Sequence, residues 1–206
     1  AAYAKDPNHA SEPDLAAYEA LGISGVDTPA QANAINTALA SGKVAASTPS
    51  EVQAVATAYA HIFGQAGDTT NTHPDPTPAD YAAIGATVAP TATANELLNT
   101  ALALKNDDAV DTLGEVNTLI NSANAVVALA AGNTSGLTGS TPQEQTADLK
   151  AKLEALGITG LASSTMAAVQ AAIAASNDNG SDLNSLSELQ AMADASEVVA
   201  VVKQQG

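Results

Sequence analysis

Apolar and polar positions follow one another along this chain with a helical period, and the clearest stripe occurs three times. Val52, Val55, Tyr59, Ile62 and Phe63 fall on one face of a predicted helix. Val116, Leu119, Ile120, Ala123, Val126 and Val127 repeat that spacing, and Leu189, Met192, Ala193, Val199 and Val202 give it again. Upstream of each stripe a shorter helix is predicted by an apolar pair at i, i+4: Ile35 with Leu39, Leu98 with Leu102, Val169 with Ile173. A further helix precedes each pair, marked by Leu15, Tyr18 and Leu21, by Tyr81 and Ile84, and by Leu149, Leu153 and Leu156. Three stripes meeting in one core describe a three-helix bundle. The expected fold is therefore all-α, a tandem array of three small three-helix bundles.

Helix starts are marked by capping boxes, in which Ser or Thr is followed three positions later by an acid or Gln. They stand at Thr48/Glu51, Thr112/Glu115 and Ser185/Glu188 for the third helices, and at Ser11/Asp14, Thr77/Asp80 and Thr141/Glu144 for the first. Among the second helices Thr28/Gln31 is clear, whereas the starts near Thr91 and Ser163 are looser. Proline follows Thr28, Thr48, Thr77 and Thr141, at the first helical position, where its missing N–H is no loss. The stops agree: Gly22, Gly85 and Gly157 sit where a helix ends on a left-handed residue, with Ile23 and Ile158 placed to make the accompanying apolar contact.

These signals divide the chain into a repeat at 11–66, a linker at 67–76, a second repeat at 77–132, a linker at 133–140 and a third repeat at 141–206. A unit of roughly 60 to 70 residues suits three short helices. The first linker ends in stiffer, Pro-rich sequence; the second, Gly- and Ser-rich, is expected to be flexible. Ala2-Tyr3-Ala4 echoes Ala58-Tyr59-Ala60, so residues 1–10 read as the tail of a preceding repeat and the chain as a stretch of a longer array.

Composition sharpens this. Hydrophobic residues make up 46% of the chain but aromatics only 2%, so much of the apolar content is alanine, which favours small, closely packed bundles. Twenty-two acids face six bases, all six Lys, for a net charge of -16. That excludes nucleic-acid binding, which needs clustered cations, and disfavours anionic lipid. Cysteine is absent, which rules out disulfides and thiolate metal sites. No apolar run reaches the roughly 18 residues of a membrane helix, so no membrane insertion is expected.

Candidate chemistry is sparse. His9, His61 and His73 are scattered, and a zinc site needs three or four ligands at fixed spacing. No nucleophile elbow, zinc-protease helix or dinucleotide fingerprint occurs, so no enzyme, no catalytic residue, no cofactor-binding residue and no metal ligand is expected. Two acidic loops between second and third helices, Asn106-Asp107-Asp108 with Asp111 and Asn177-Asp178-Asn179-Gly180-Ser181-Asp182, have the oxygen-rich composition that calcium favours. Neither fits an EF-hand: aligning Gly180 to the glycine of that loop puts Ala175 and Leu186 at the first and twelfth ligand positions. Gly157-Ile158-Thr159-Gly160 reads as a helix stop and turn rather than a phosphate loop, since no strand precedes it.

The order of a helix, then GISGV or GITGL, then a second helix and a capped third (SELQAMADA) resembles the GA module, a three-helix albumin-binding domain of Gram-positive surface proteins. That resemblance implies a three-helix repeat able to bind a host protein. Here no aromatic lies between Val26 and Val55, where the family's binding surface would fall, and the family's Lys-rich character is missing. Phrases such as DYAAIG, LEALGITG and AINTALA are also similar to the tandem helical repeats of giant, acidic, cysteine-free adhesins of Gram-negative bacteria. The implied role is a structural or adhesive segment of an extracellular or bacterial cell-surface protein, a spacer or polymer building block. Its partners would be neighbouring repeats, other copies of the same protein, or a host or matrix protein. The alternative is an albumin-binding-like, host-protein-binding surface module.

Overall fold

A computed structural model of the chain describes residues 2–8, 10–176 and 183–205, apart from the side chains at 201 and 203–205. Among them are ten α-helices and no strand: α1 (Ala2–Lys5), α2 (Leu15–Ala20), α3 (Pro29–Ala40), α4 (Pro49–Gln65), α5 (Pro78–Ala83), α6 (Ala92–Leu102), α7 (Leu113–Ala130), α8 (Pro142–Leu156), α9 (Met166–Ala175) and α10 (Leu186–Gln205). The fold is all-α.

Most helices begin where the boxes place them. Thr28, Thr48 and Thr141 each accept from the amide three residues on, while Gln31, Glu51 and Glu144 reach back to the cap amide. The same exchange joins Thr112 to Glu115 and Ser185 to Glu188. At Thr77 both the amide and the hydroxyl donate to the Asp80 carboxylate, at 2.8 and 2.7 Å. One start differs. The box at Ser11/Asp14 does not form; Asp14 is itself the cap, accepting from Ala17 N–H at 2.9 Å, and α2 has only six residues. Asp is as good a cap as Ser, and Pro13 immediately before it keeps Glu12 out of the helical region.

The glycine stops hold throughout. Gly22, Gly85 and Gly157 have φ of 72°, 82° and 114°. Past each, an amide turns back over the helix end: Ile23 to the Tyr18 carbonyl, Ala86 to Tyr81, Ile158 to Leu153, at 2.9–3.0 Å. Ile23 and Ile158 are buried as expected.

Two compact units emerge from the packing, Ala1–Ala89 with Leu102–Asn117, and Pro90–Ala101 with Thr118–Gly206. The division falls within α6 and α7 and cuts across stretch 77–132. In the first unit α3 packs on α4, α5 packs on α4, and α1 lies on α3. Its fully buried side chains include Tyr18, Ile35, Ile62, Tyr81 and Ile84. In the second, α9 packs on both α8 and α10, around Leu149, Leu153, Leu156, Val169, Ile173 and Leu189.

Three expected core positions are instead exposed: Leu21 at the end of α2, and Val199 and Val202 on α10. Leu21 lies past the last turn of a short helix, and the outer half of α10 has no helix against that face among the described residues. The 133–140 linker, expected to be flexible, is packed. Leu137 is buried, the Thr138 amide donates to Asp148 at 2.9 Å, and a Cβ on Gly136 would stand 2.7 Å from the Ala125 Cα.

Candidate functional site

Among the described residues, chemistry-bearing side chains meet at the 67–76 linker, between α2 and α3, and between α4 and α5. In the 67–76 linker the Asp68 carboxylate is almost wholly buried. It accepts from the amides of Thr70, Thr72 and His73, from the hydroxyls of Thr70 and Thr72, and stands 3.0 Å from His73 Nδ1. Asn71 takes a left-handed φ of 54° so that the chain can wrap the carboxylate. Burial alone would raise the Asp68 pKa; the donors from His73, Thr70 and Thr72 outweigh it and hold the carboxyl well below its usual range. His73 closes the loop against Gly64, where a Cβ would come within 3.2 Å of the His73 Cβ. This knot borders a cleft of about 550 Å³, lined also by Phe63 and Asp107. The Asp68 carboxylate, the strong acceptor of the knot, is committed to the loop.

A second cleft, about 590 Å³, lies between the start of α2 and α3, walled by Pro13, Leu15, Pro29, Ala32 and Asn36. Asn36 is spoken for: its Oδ1 accepts from the Tyr18 hydroxyl at 2.6 Å and its Nδ2 donates to the Pro13 carbonyl at 2.9 Å. The pair is a buried polar clamp between α2 and α3.

His61, on α4, stands 2.9 Å from Asp80 Oδ1 on α5. Burial works against the Asp80 charge, but the Thr77 and His61 hydrogen bonds prevail and lower its pKa. His9 lies outside the described residues. Of the two acidic loops, 177–182 lies outside them too, and Asp107 and Asp108 form an exposed single turn of 3-10 helix. Among the described residues no group of three or more His, Asp or Glu is gathered closely enough to hold a metal ion, and no helix is long and apolar enough to cross a membrane.

What recurs is a set of bonds between helices. The turn after each glycine stop is caught by an amide side chain from a long helix: Ser24 N–H by Gln53, Thr87 N–H by Asn117, Thr159 N–H by Gln190, at 2.8, 2.8 and 3.0 Å. The two loosely marked helix starts are held in a similar way. Asn124 accepts the Thr91 amide, and Glu197 accepts both the Ala162 amide and the Thr165 hydroxyl. The third bond spans much greater separations. The Leu113 amide at the start of α7 donates to Thr37 Oγ1 on α3, and the Leu186 amide at the start of α10 donates to Thr100 Oγ1 on α6, both at 2.9 Å. Sequence reasoning missed this joint. Its one visible signal is the shared Asn-Thr-Ala-Leu-Ala at Asn36–Ala40 and Asn99–Ala103, where an exposed-looking Thr sits mid-helix.

No protein-family model, no curated protein and no solved structure matches this chain.

Proposed function

We propose that this chain is a non-enzymatic structural segment: three three-helix repeats, at 11–66, 77–132 and 141–206, serving as a spacer or polymer building block of an extracellular or bacterial-surface protein. The observation that carries the proposal is the paired joint, Thr37 with Leu113 and Thr100 with Leu186. In each case a hydroxyl on the second helix of one repeat caps the third helix of the next. Repeats joined by the same bond in the same register form a chain of linked units, in which stability is a sum of unit and neighbour terms. The side chains that meet in polar clusters, Asp68 with His73 and His61 with Asp80, serve the same end by fixing linkers and helix contacts.

A host-binding module would present one apolar face on every repeat. The exposed large apolar residues Val198, Val199 and Val202 lie on α10 alone, and Leu21, Val88 and Leu104 do not recur in this way either. Their counterparts are Ile84 and Leu156, both buried, then Gly25 and Gly160, then Ser41 and Ala175. That pattern favours the spacer.

Pulling single molecules from both ends is the test. Successive unfolding steps of repeat-sized length, with no capture of serum or matrix proteins by the immobilised chain, are expected. One undivided unfolding step would overturn the repeat reading, and saturable capture of a host protein would replace the spacer with the binding module.

A further inference from the structure

The joint between consecutive repeats has two sides, and each side also occurs once without its partner. On the outgoing side α4 carries α5 against it, with Ile62 fully buried. In the next repeat α7 shares a shallow cleft with α8, between Ser122 and the Asp148–Lys152 turn, and Val126 is fully buried. The matching residue of α10 is Val199, which is 51% exposed, and one turn on Val202 is 64% exposed where Gln65 and Leu129 are buried. Ala172 on α9 is likewise half-open where Ala38 and Ala101 are fully buried.

The incoming side shows the complementary gap. Ile84 and Leu156 are fully buried at the ends of their helices, but Leu21 is 51% exposed, and α1, lying on α3, leaves it open. Leu113 and Leu186 are buried at the starts of α7 and α10, whereas Pro49, at the start of α4, is exposed.

The two open sides also match each other chemically. Where Thr37 and Thr100 accept an amide, α9 carries Ala171, which has no acceptor. Where Leu113 and Leu186 supply that amide, α4 carries Pro49, which has no N–H. Joining these two sides therefore strands neither a donor nor an acceptor. The His61–Asp80 pair at the first internal joint is replaced by Val198 on α10 and Ala17 on α2, so that polar on polar becomes apolar on apolar. Two positions on one side thus change in step with two on the other.

We infer that the open face of α9 and α10 is a docking surface for the α2–α4 repeat of a second copy of this chain, joined head to tail. The inference rests on the repeat reading above, because it identifies corresponding positions through it. Such a contact is heterologous and adds copies in one direction. It is also small and formed between chains of net charge -16, so it strengthens as salt screens their repulsion.

The test uses the intact chain with Leu21→Asp and Val199→Asp, both at exposed positions, so the thermal melt of each dilute variant is expected to stay close to that of the wild type. Sedimentation of the wild type is expected to show mass rising with concentration, more so in higher salt, while each variant alone stays monomeric. An equimolar mixture of the two is expected to form a one-to-one dimer and nothing larger, since each supplies the side the other has lost. A wild type that stays monomeric at millimolar concentration overturns the inference, and so does a mixture that stays monomeric while the wild type associates. Either failure leaves the repeat reading standing if the pulled chain still unfolds in repeat-sized steps; loss of those steps removes the repeat reading whatever the sedimentation shows.

Discussion

The backbone amide of Leu186 is held by the hydroxyl of Thr100, 86 residues earlier in the chain. Leu186 is buried and begins a helix whose first amides have no partner within it. Thr100 therefore adds from a distance to the local Ser185/Glu188 cap of α10. Its hydroxyl meanwhile donates to the Leu97 carbonyl at 2.8 Å, which aims its lone pairs at the incoming helix.

Thr100→Val keeps the shape and removes the acceptor. Leaving a buried amide unsatisfied costs about 1–3 kcal/mol, so a clear loss of stability in urea titration is expected. Hydrogen exchange at the Leu186 amide should accelerate more than at its neighbours. Thr37→Val should do the same at Leu113, and Thr100→Ser should be close to neutral.

Gly22→Ala and Gly85→Ala separate conformational strain from packing. Both positions have positive φ, so Ala at either is expected to cost about 1–2 kcal/mol. A Cβ on Gly22 meets nothing within 4 Å, but on Gly85 it would lie 2.9 Å from Val44 Cγ1 and 3.1 Å from Lys43 Cβ. Gly85→Ala should therefore lower the melting temperature by clearly more than Gly22→Ala.

Asp68→Ala removes the acceptor around which the 68–73 loop is wound. Protease cleavage in that loop is expected to rise several-fold, with little change elsewhere. Asp68→Asn should fall between, because one amide oxygen replaces two carboxylate oxygens and its NH2 meets donors. Equal cleavage of all three proteins would mean that the loop holds its shape without the carboxylate.

The pH dependence follows from the same acids. Backbone amides of Ser47 and Thr48 lower the Glu51 pKa, those of Ser140 and Thr141 lower that of Glu144, and the donors around Asp68 lower its own. Each folded-state pKa lies below its unfolded value, so each contribution is complete above the ordinary 4.5 of Glu or 3.8 of Asp and lost as pH falls through the folded value. The melting temperature is expected to be flat from neutral pH down to the region of those values and to drop below it. Glu51→Gln and Glu144→Gln together should make the drop shallower.

Much of the helical framework was legible because helix ends are local. A cap acts across three residues, and Thr28, Thr48 and Thr141 stand within that distance of their partners. The glycine stops are local in the same sense. Where a start was poorly marked, part of its capping came from more than thirty residues away: the Thr91 hydroxyl accepts locally from the Ala94 amide, but Asn124 takes the Thr91 amide, and before Met166 Glu197 takes the Ala162 amide. At the corresponding place α4 has Ala60, and there the Thr28/Gln31 box is complete by itself. The linker around Asp68 was unreadable for a related reason. Its order comes from one carboxylate gathering several donors, which periodicity does not register.

Which residues form helices, where those helices stop, and that the fold is all-α were written in the order of side chains, because caps, left-handed glycines and apolar stripes act within a turn or two. Which apolar residues are covered was not. Ile62 and Val199 occupy the same place in the same stripe, yet Ile62 is buried on a helix that both α3 and α5 pack against, while Val199 stays open. Burial and long-range capping depend on partners that the chain brings together after dozens of intervening residues, and no local pattern specifies them.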